Sequence, residues 1–238
     1  MFSSISVRSA ALSKSYLADS ISTYQGGSKT VDSNTTYRIG SVTKLFTVYT
    51  FLTEAGDTRW NDPIPRYVPE LLQAAGVLNA TENPIDYVAW EDIAIGDLAR
   101  EHSGIGRGYA GFGELDSPYF PDLQPSTDGL PKLNATEVPI RPGGAYCNRQ
   151  QFFTCFMSRY PVYAPATAPI YSNAAYMVLS YALENVTGIN FSTSAQNSLF
   201  TALNLSNGTS SFKSANINSA IIPTNAGRAV SLATKLRE

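Results

Sequence analysis

Residues 37–52 read YRIGSVTKLFTVYTFL, and within them Leu45, Phe46, Val48, Tyr49, Phe51 and Leu52 are apolar nearly all round a helix. Such a helix is predicted to be buried on most faces, so the rest of the chain has to cover it from several sides. It is expected to end near Gly56, where a glycine readily follows a helix. The strand-like YRIG delivers Ser41 to its start, three residues before Lys44. A helix turns once every ~3.6 residues, so the two side chains share a face. Two readings stay open on spacing alone. Ser41 could cap the first turn while Lys44 reaches water. Alternatively, a desolvated amine could take the proton of a serine nucleophile, as histidine does in a triad.

Spacing by itself is a weak signal, because SSFK at 210–213 repeats it. That copy follows the turn-rich LSNGT and has no apolar helix to hold it in register. Ser41 differs in context: it meets the N-terminus of an apolar helix, where free N–H groups and the helix dipole favour developing negative charge.

The bulk properties exclude several other functions. The 238 residues, 43% hydrophobic and 15% charged with a net charge of −2, suit one sizeable core. The near-neutral balance, with no basic cluster interleaved with aromatics, argues against nucleic acid as a partner. No stretch reaches the ~18 to 20 apolar residues of a membrane span, and the first residues lack the apolar centre of a signal peptide. Seven N-x-[ST] sequons, at Asn34, Asn79, Asn134, Asn185, Asn190, Asn204 and Asn207, nevertheless favour a glycosylated, secretory origin. Two cysteines, Cys147 and Cys155, and one histidine, His102, make a poor zinc set. The cysteines are read as structural, either a small disulfide loop or buried thiols, and no metal or other cofactor is expected.

Along the chain, residues 3–40 read as short strands. TRWNDPIPRYVPELL reads as an irregular connection entering a short helix. Ile93, Ile95 and Leu98 are placed to line one side of another short helix, which runs into a glycine-rich loop. Residues 114–145 are dense in Pro, Gly and Asp and read as a long surface segment. Residues 148–158 look helical, and AAYMVLSYALENVTG is a helix with Met177, Leu179, Ala182 and Leu183 spaced for burial and Gly188 after its end. Gly106, Gly108 and Gly111 match G-x-G-x-x-G, but neither the strand before nor the helix after that a dinucleotide site needs is present. His102 would have to serve any Ser-His-Asp triad, and no G-x-S-x-G elbow supplies its serine; it is read as a packing or loop-fixing residue.

Taken together, YRIGSVTKLFTVYTFL, IAIGDLAREHSG and PVYAPATAPIYSNAAYMVLSYALENVTG resemble the serine β-lactamase and penicillin-binding family, in its class C-like branch, with wording similar to fungal β-lactamase-like hydrolases. The resemblance spans about residues 3–225. It implies an α+β, β-lactamase/transpeptidase-like fold. It also implies that Ser41 is the acylated nucleophile, Lys44 its proton partner and Tyr171 of YSN a sharer of the acid–base work. Asn173 would hydrogen-bond the substrate carbonyl, and the Ser41 N–H would form half of an oxyanion hole. Phenolate character at Tyr171 near neutral pH would require the nearby Lys44 charge to favour ionisation. The substrate class implied is a small-molecule or peptide-like ester or amide, hydrolysed or passed to another acyl acceptor, including in secondary metabolism. Read without the family, Tyr171 and Asn173 are a turn before a helix, with Asn173 as its cap.

The chain departs from the family in one respect. A third motif, Lys-Thr-Gly or His-x-Gly, should follow YSN, and no such triplet occurs after Asn173. The expectation is therefore a single domain over 1–238, C-terminally incomplete. Strands and the nucleophile helix would occupy 1–56 and a mainly helical lobe 57–238, beside an incomplete antiparallel sheet that leaves one face of the Ser41 helix uncovered. A catalytically inert remnant that binds a ligand or partner is the alternative this departure raises.

Overall fold

The computed structural model describes residues 40–74, 85, 87–108, 148–157 and 159–203. The strands expected over 3–40, the segment 114–145, the second serine–lysine spacing at 210–213, five of the sequons (Asn34, Asn79, Asn134, Asn204 and Asn207), Gly111, Cys147 and the Cys155 side chain lie outside the described residues. Among the described residues the helices are α1 (Thr43–Ala55), α2 (Glu70–Ala74), α3 (Ile95–Ala99), α4 (Arg149–Phe156), α5 (Asn173–Thr187) and α6 (Phe191–Ala195). β pairing there is confined to an isolated antiparallel bridge between Pro63 and Ala94, so the described part of the fold is helical. None of these helices is long and apolar enough to cross a membrane. The chain divides into two compact units, Met1–Ala55 with Thr187–Glu238, and Gly56–Val186.

In the first unit, α1 packs on α6 and on the single π-helical turn Gln196–Phe200 that continues it. Ala195, Leu199 and Phe200 form the apolar centre, with Phe46 of α1 and Phe191 against them. The Phe46 and Phe200 rings stand 6.3 Å apart. Asn190 caps α6, its Oδ1 accepting from the Thr193 N–H at 2.9 Å and the Ser192 hydroxyl at 2.8 Å.

The burial of α1 differs from that of a helix covered on most faces and agrees with the expectation that one face is left uncovered. Its buried side carries Thr47, Thr50 and Phe51, whereas Leu45 is 64% and Tyr49 54% exposed, with Val42 and Leu52 on the same stripe. Threonine is tolerated inside because its hydroxyl is satisfied by the helix itself: Thr47 donates to the Thr43 carbonyl at 3.1 Å and Thr50 to that of Phe46 at 2.8 Å. An all-apolar run fixes how much surface needs cover but not which side receives it.

The second unit is knitted from short pieces. The Ile64 N–H donates to Ile93, that of Ile95 to Asp62 and that of Gly96 to Trp60, each at 2.8–3.1 Å. These bonds seat α3 against the 3-10 turn Ile64–Arg66 and bury Ile64, Ile93, Ile95 and Leu98 completely. Asp97 starts α3 by accepting the Ala94 N–H at 3.0 Å, and its second oxygen takes Arg100 at 2.8 Å. Against α5, the α4 ring of Phe152 stands 5.1 Å from Phe156 and 5.8 Å from Tyr181.

Arg149 joins α2, α4 and α5. It grips Glu70 with two bonds of 2.7 and 3.1 Å, stands 3.9 Å from Glu184 and lies 4.7 Å over the Tyr181 ring. The forked bond to Arg149 holds the Glu70 carboxyl below its ordinary value of 4.5. A carboxyl depressed by folding adds stability above its unfolded pKa and loses it as pH falls through the folded one. Glu70→Gln is therefore expected to cost about 2 kcal/mol near neutral pH, the pair being partly exposed. In urea unfolding, the difference from the parent should shrink toward zero below pH 4.5; a gap that stays constant with pH would show that shape, not charge, is at stake.

Candidate active site

Gly40, at φ +53°, turns the chain immediately before Ser41 in a conformation that L side chains rarely adopt. The 3-10 turn Gly40–Val42 then runs into α1, and the Thr43 hydroxyl ties back to the Gly40 carbonyl at 2.6 Å. This delivers Ser41, exposed, to the N-terminal end of a 13-residue helix. Half-buried Lys44, one turn on, places its Nζ 3.5 Å from Ser41 Oγ. The amine donates to the hydroxyl oxygen, and the helix end beside both favours negative charge.

Tyr171 and Asn173 belong to the second unit. The strap 162–174 is laced to the loop 101–107 by main-chain bonds. The Val162 N–H donates to Gly104, that of Ala166 to His102 and that of Ile170 to Glu101, each at 2.8 Å, while the Asn173 N–H donates to Arg107 at 2.7 Å. His102 thus fixes the loop through its backbone; its own N–H donates to Asp97 at 2.8 Å. Glu101 and Ala166 adopt φ of 61° and 59°, unusual for residues with a Cβ, so the lacing holds strained backbone at both edges. The described glycines of the G-x-G spacing, Gly106 and Gly108, lie in this loop.

The start of α5 is capped by Ser172 rather than Asn173. The buried Ser172 hydroxyl accepts the Ala175 N–H at 3.0 Å and donates to the Gly106 carbonyl at 2.8 Å. Asn173 occupies the first helical position, exposed. Tyr171 is 39% exposed, with the Arg107 guanidinium 5.5 Å from its ring centre. Close by, Tyr176 donates its hydroxyl to the Ala99 carbonyl at 2.8 Å. Its phenol is pushed up first by burial, then by the negative charges of Glu101 and Tyr171. The structure therefore joins Ser41 with Lys44, and Tyr171 with the start of α5 at Asn173, each pair within its own unit. Sequence reasoning missed Ser172, Tyr176 and Arg107. A serine one position ahead of a helical run was a readable capping signal, whereas Arg107 gave none.

The family model described as Beta-lactamase matches residues 18–218, and the chain belongs to that family. It is 30% identical over 184 residues to a Beta-lactamase-like protein of Arthroderma benhamiae, a match covering 76% of this chain and 28% of that protein. Among solved structures it is similar to a D-stereospecific amidohydrolase from Streptomyces sp., at 21% identity and a TM-score of 0.47, over 71% of this chain and 42% of the other. It is also similar to an octameric penicillin-binding protein homologue from Pyrococcus abyssi, at 20% identity and a TM-score of 0.41, over 70% and 31%. The chain thus spans under a third of the length of its curated relative. Family membership brings a fold of the β-lactamase/transpeptidase type.

Proposed function

We propose that the chain carries the acylating machinery of a β-lactamase-like serine hydrolase or acyltransferase. The observation that supports this most directly is the 3.5 Å approach of Lys44 Nζ to Ser41 Oγ at the start of α1. Ser41 Oγ attacks the carbonyl carbon of an ester or amide as its proton passes to Lys44 Nζ. The Ser41 N–H and the positive end of α1 steady the oxygen that becomes negative. Collapse of the tetrahedral species breaks the bond to the leaving group, which takes up a proton through Lys44 and Tyr171. The acyl group then moves from Ser41 to water or another nucleophile. Asn173, exposed at the first position of α5, hydrogen-bonds the substrate carbonyl. The sequons and cysteines fit an origin in the secretory pathway, with Asn185, exposed on α5, as the glycan site to test by mass.

The reading is tested by treating the folded chain with a fluorophosphonate and a penicillin probe and mapping the adduct by peptide mass spectrometry. One adduct on Ser41, lost in Ser41→Ala, is the expected result. No adduct on folded protein, or one that survives Ser41→Ala, would sink the reading and leave the inert remnant.

A further inference from the structure

Arg107 meets the strap in two ways. Its carbonyl accepts the Asn173 and Ala174 N–H groups at 2.7 and 3.3 Å, while its exposed guanidinium stands 5.5 Å from the centre of the Tyr171 ring. Arg66, Arg100 and Arg149 are each paired with a carboxylate, on Asp62, Asp97 and Glu70 respectively; Arg107 makes no such ion pair among the described residues. An arginine whose charge is not already committed to a carboxylate acts more fully on the ring beside it, and a cation beside a phenol favours the phenolate. Tyr176, protonated as it donates to the Ala99 carbonyl, and Glu101, whose charge reaches Tyr176, also stand at this corner; a carboxylate there acts in the opposite sense and favours the neutral phenol.

We infer that Arg107 is a positioning residue for Tyr171: its guanidinium fixes the ring over the start of α5 and favours the phenolate, the form of Tyr171 that accepts a proton. The inference rests on the reading of Tyr171 as a sharer of the acid–base work, but its first test does not require turnover. The 238-residue chain is labelled with carbon-13 at tyrosine Cζ and titrated by NMR through alkaline pH, with Tyr171→Phe identifying the signal. Arg107→Gln, with Lys44 left in place, is expected to raise the Tyr171 midpoint by roughly half to one pH unit. Arg107→Lys, which keeps the charge, should stay nearer the parent. Every variant keeps the residue 107 carbonyl that anchors α5. An unchanged midpoint in Arg107→Gln, or equal shifts in both variants, would overturn the inference. Where a neutral chromogenic ester is turned over, the acid limb of kcat/KM should move to higher pH in Arg107→Gln with KM unchanged. A higher KM with an unmoved limb would instead make Arg107 a substrate-binding residue and overturn the positioning role. Absence of turnover in the parent would defeat the catalytic reading of Ser41 while leaving the titration to decide the link between Arg107 and Tyr171.

Discussion

Gly104→Ala is expected to lower stability by about 3 kcal/mol or more, a fall in Tm of roughly 10 °C. Gly104 sits at φ +71°, where a residue with a Cβ is strained by about 1 kcal/mol. The added carbon would also run into the Tyr163 carbonyl group, which is backbone and cannot rotate aside as a side chain would. Moving the loop away has its own cost, because the Gly104 carbonyl accepts the Val162 and Tyr163 N–H groups at 2.8 and 3.3 Å. Each bond contributes about 1 kcal/mol. Gly106→Ala is the matched control. Its added carbon would find only Val162 Cγ2, at an ordinary 4.0 Å, so a change within about 1 kcal/mol is expected. Thermal and urea unfolding of both variants measure this; equal stabilities would show that the loop is not held by the strap.

The same lacing explains how much of the molecule could be read in advance. α1 and α5 were legible because apolar spacing and a following glycine are local signals; Gly56 and Gly188 stand just after the helix ends with φ of 68° and 73°. Ile93, Ile95 and Leu98 are all fully buried, as their spacing suggested, but α3 begins only at Ile95 and Ile93 is extended ahead of it. The sidedness of α1 was not legible, because six apolar residues surround its axis and only tertiary neighbours decide that Phe51 is covered while Leu45 is not. Nor was the grip of Arg149 on Glu70, 79 residues apart, or the bond from Ser172 to Gly106, 66 apart. Contacts of that range leave no periodic trace. The serine–lysine pair itself was legible as a spacing, while the proposal that it is catalytic draws on the helix it begins and on the family to which the chain belongs.

Lys44→Ala is expected to slow acylation of Ser41 by a fluorophosphonate about 10² to 10⁴-fold, the range over which a positioned proton acceptor acts. Thermal unfolding of the same variant keeps a loss of rate distinct from a loss of stability. Lys44→Arg separates two roles that alanine cannot. Guanidinium keeps the positive charge at the start of α1 but stays protonated throughout the working range. If Lys44 takes the Ser41 proton as a neutral amine, arginine should fail almost as completely as alanine, and a small alkylamine added to Lys44→Ala should restore part of the rate as pH rises. If the residue acts only by its charge, arginine should retain most of the rate and the amine should do nothing. Labelling kinetics at Ser41, read by peptide mass spectrometry across pH, therefore decide whether the one-turn spacing of Ser41 and Lys44 works through proton transfer or through a fixed field.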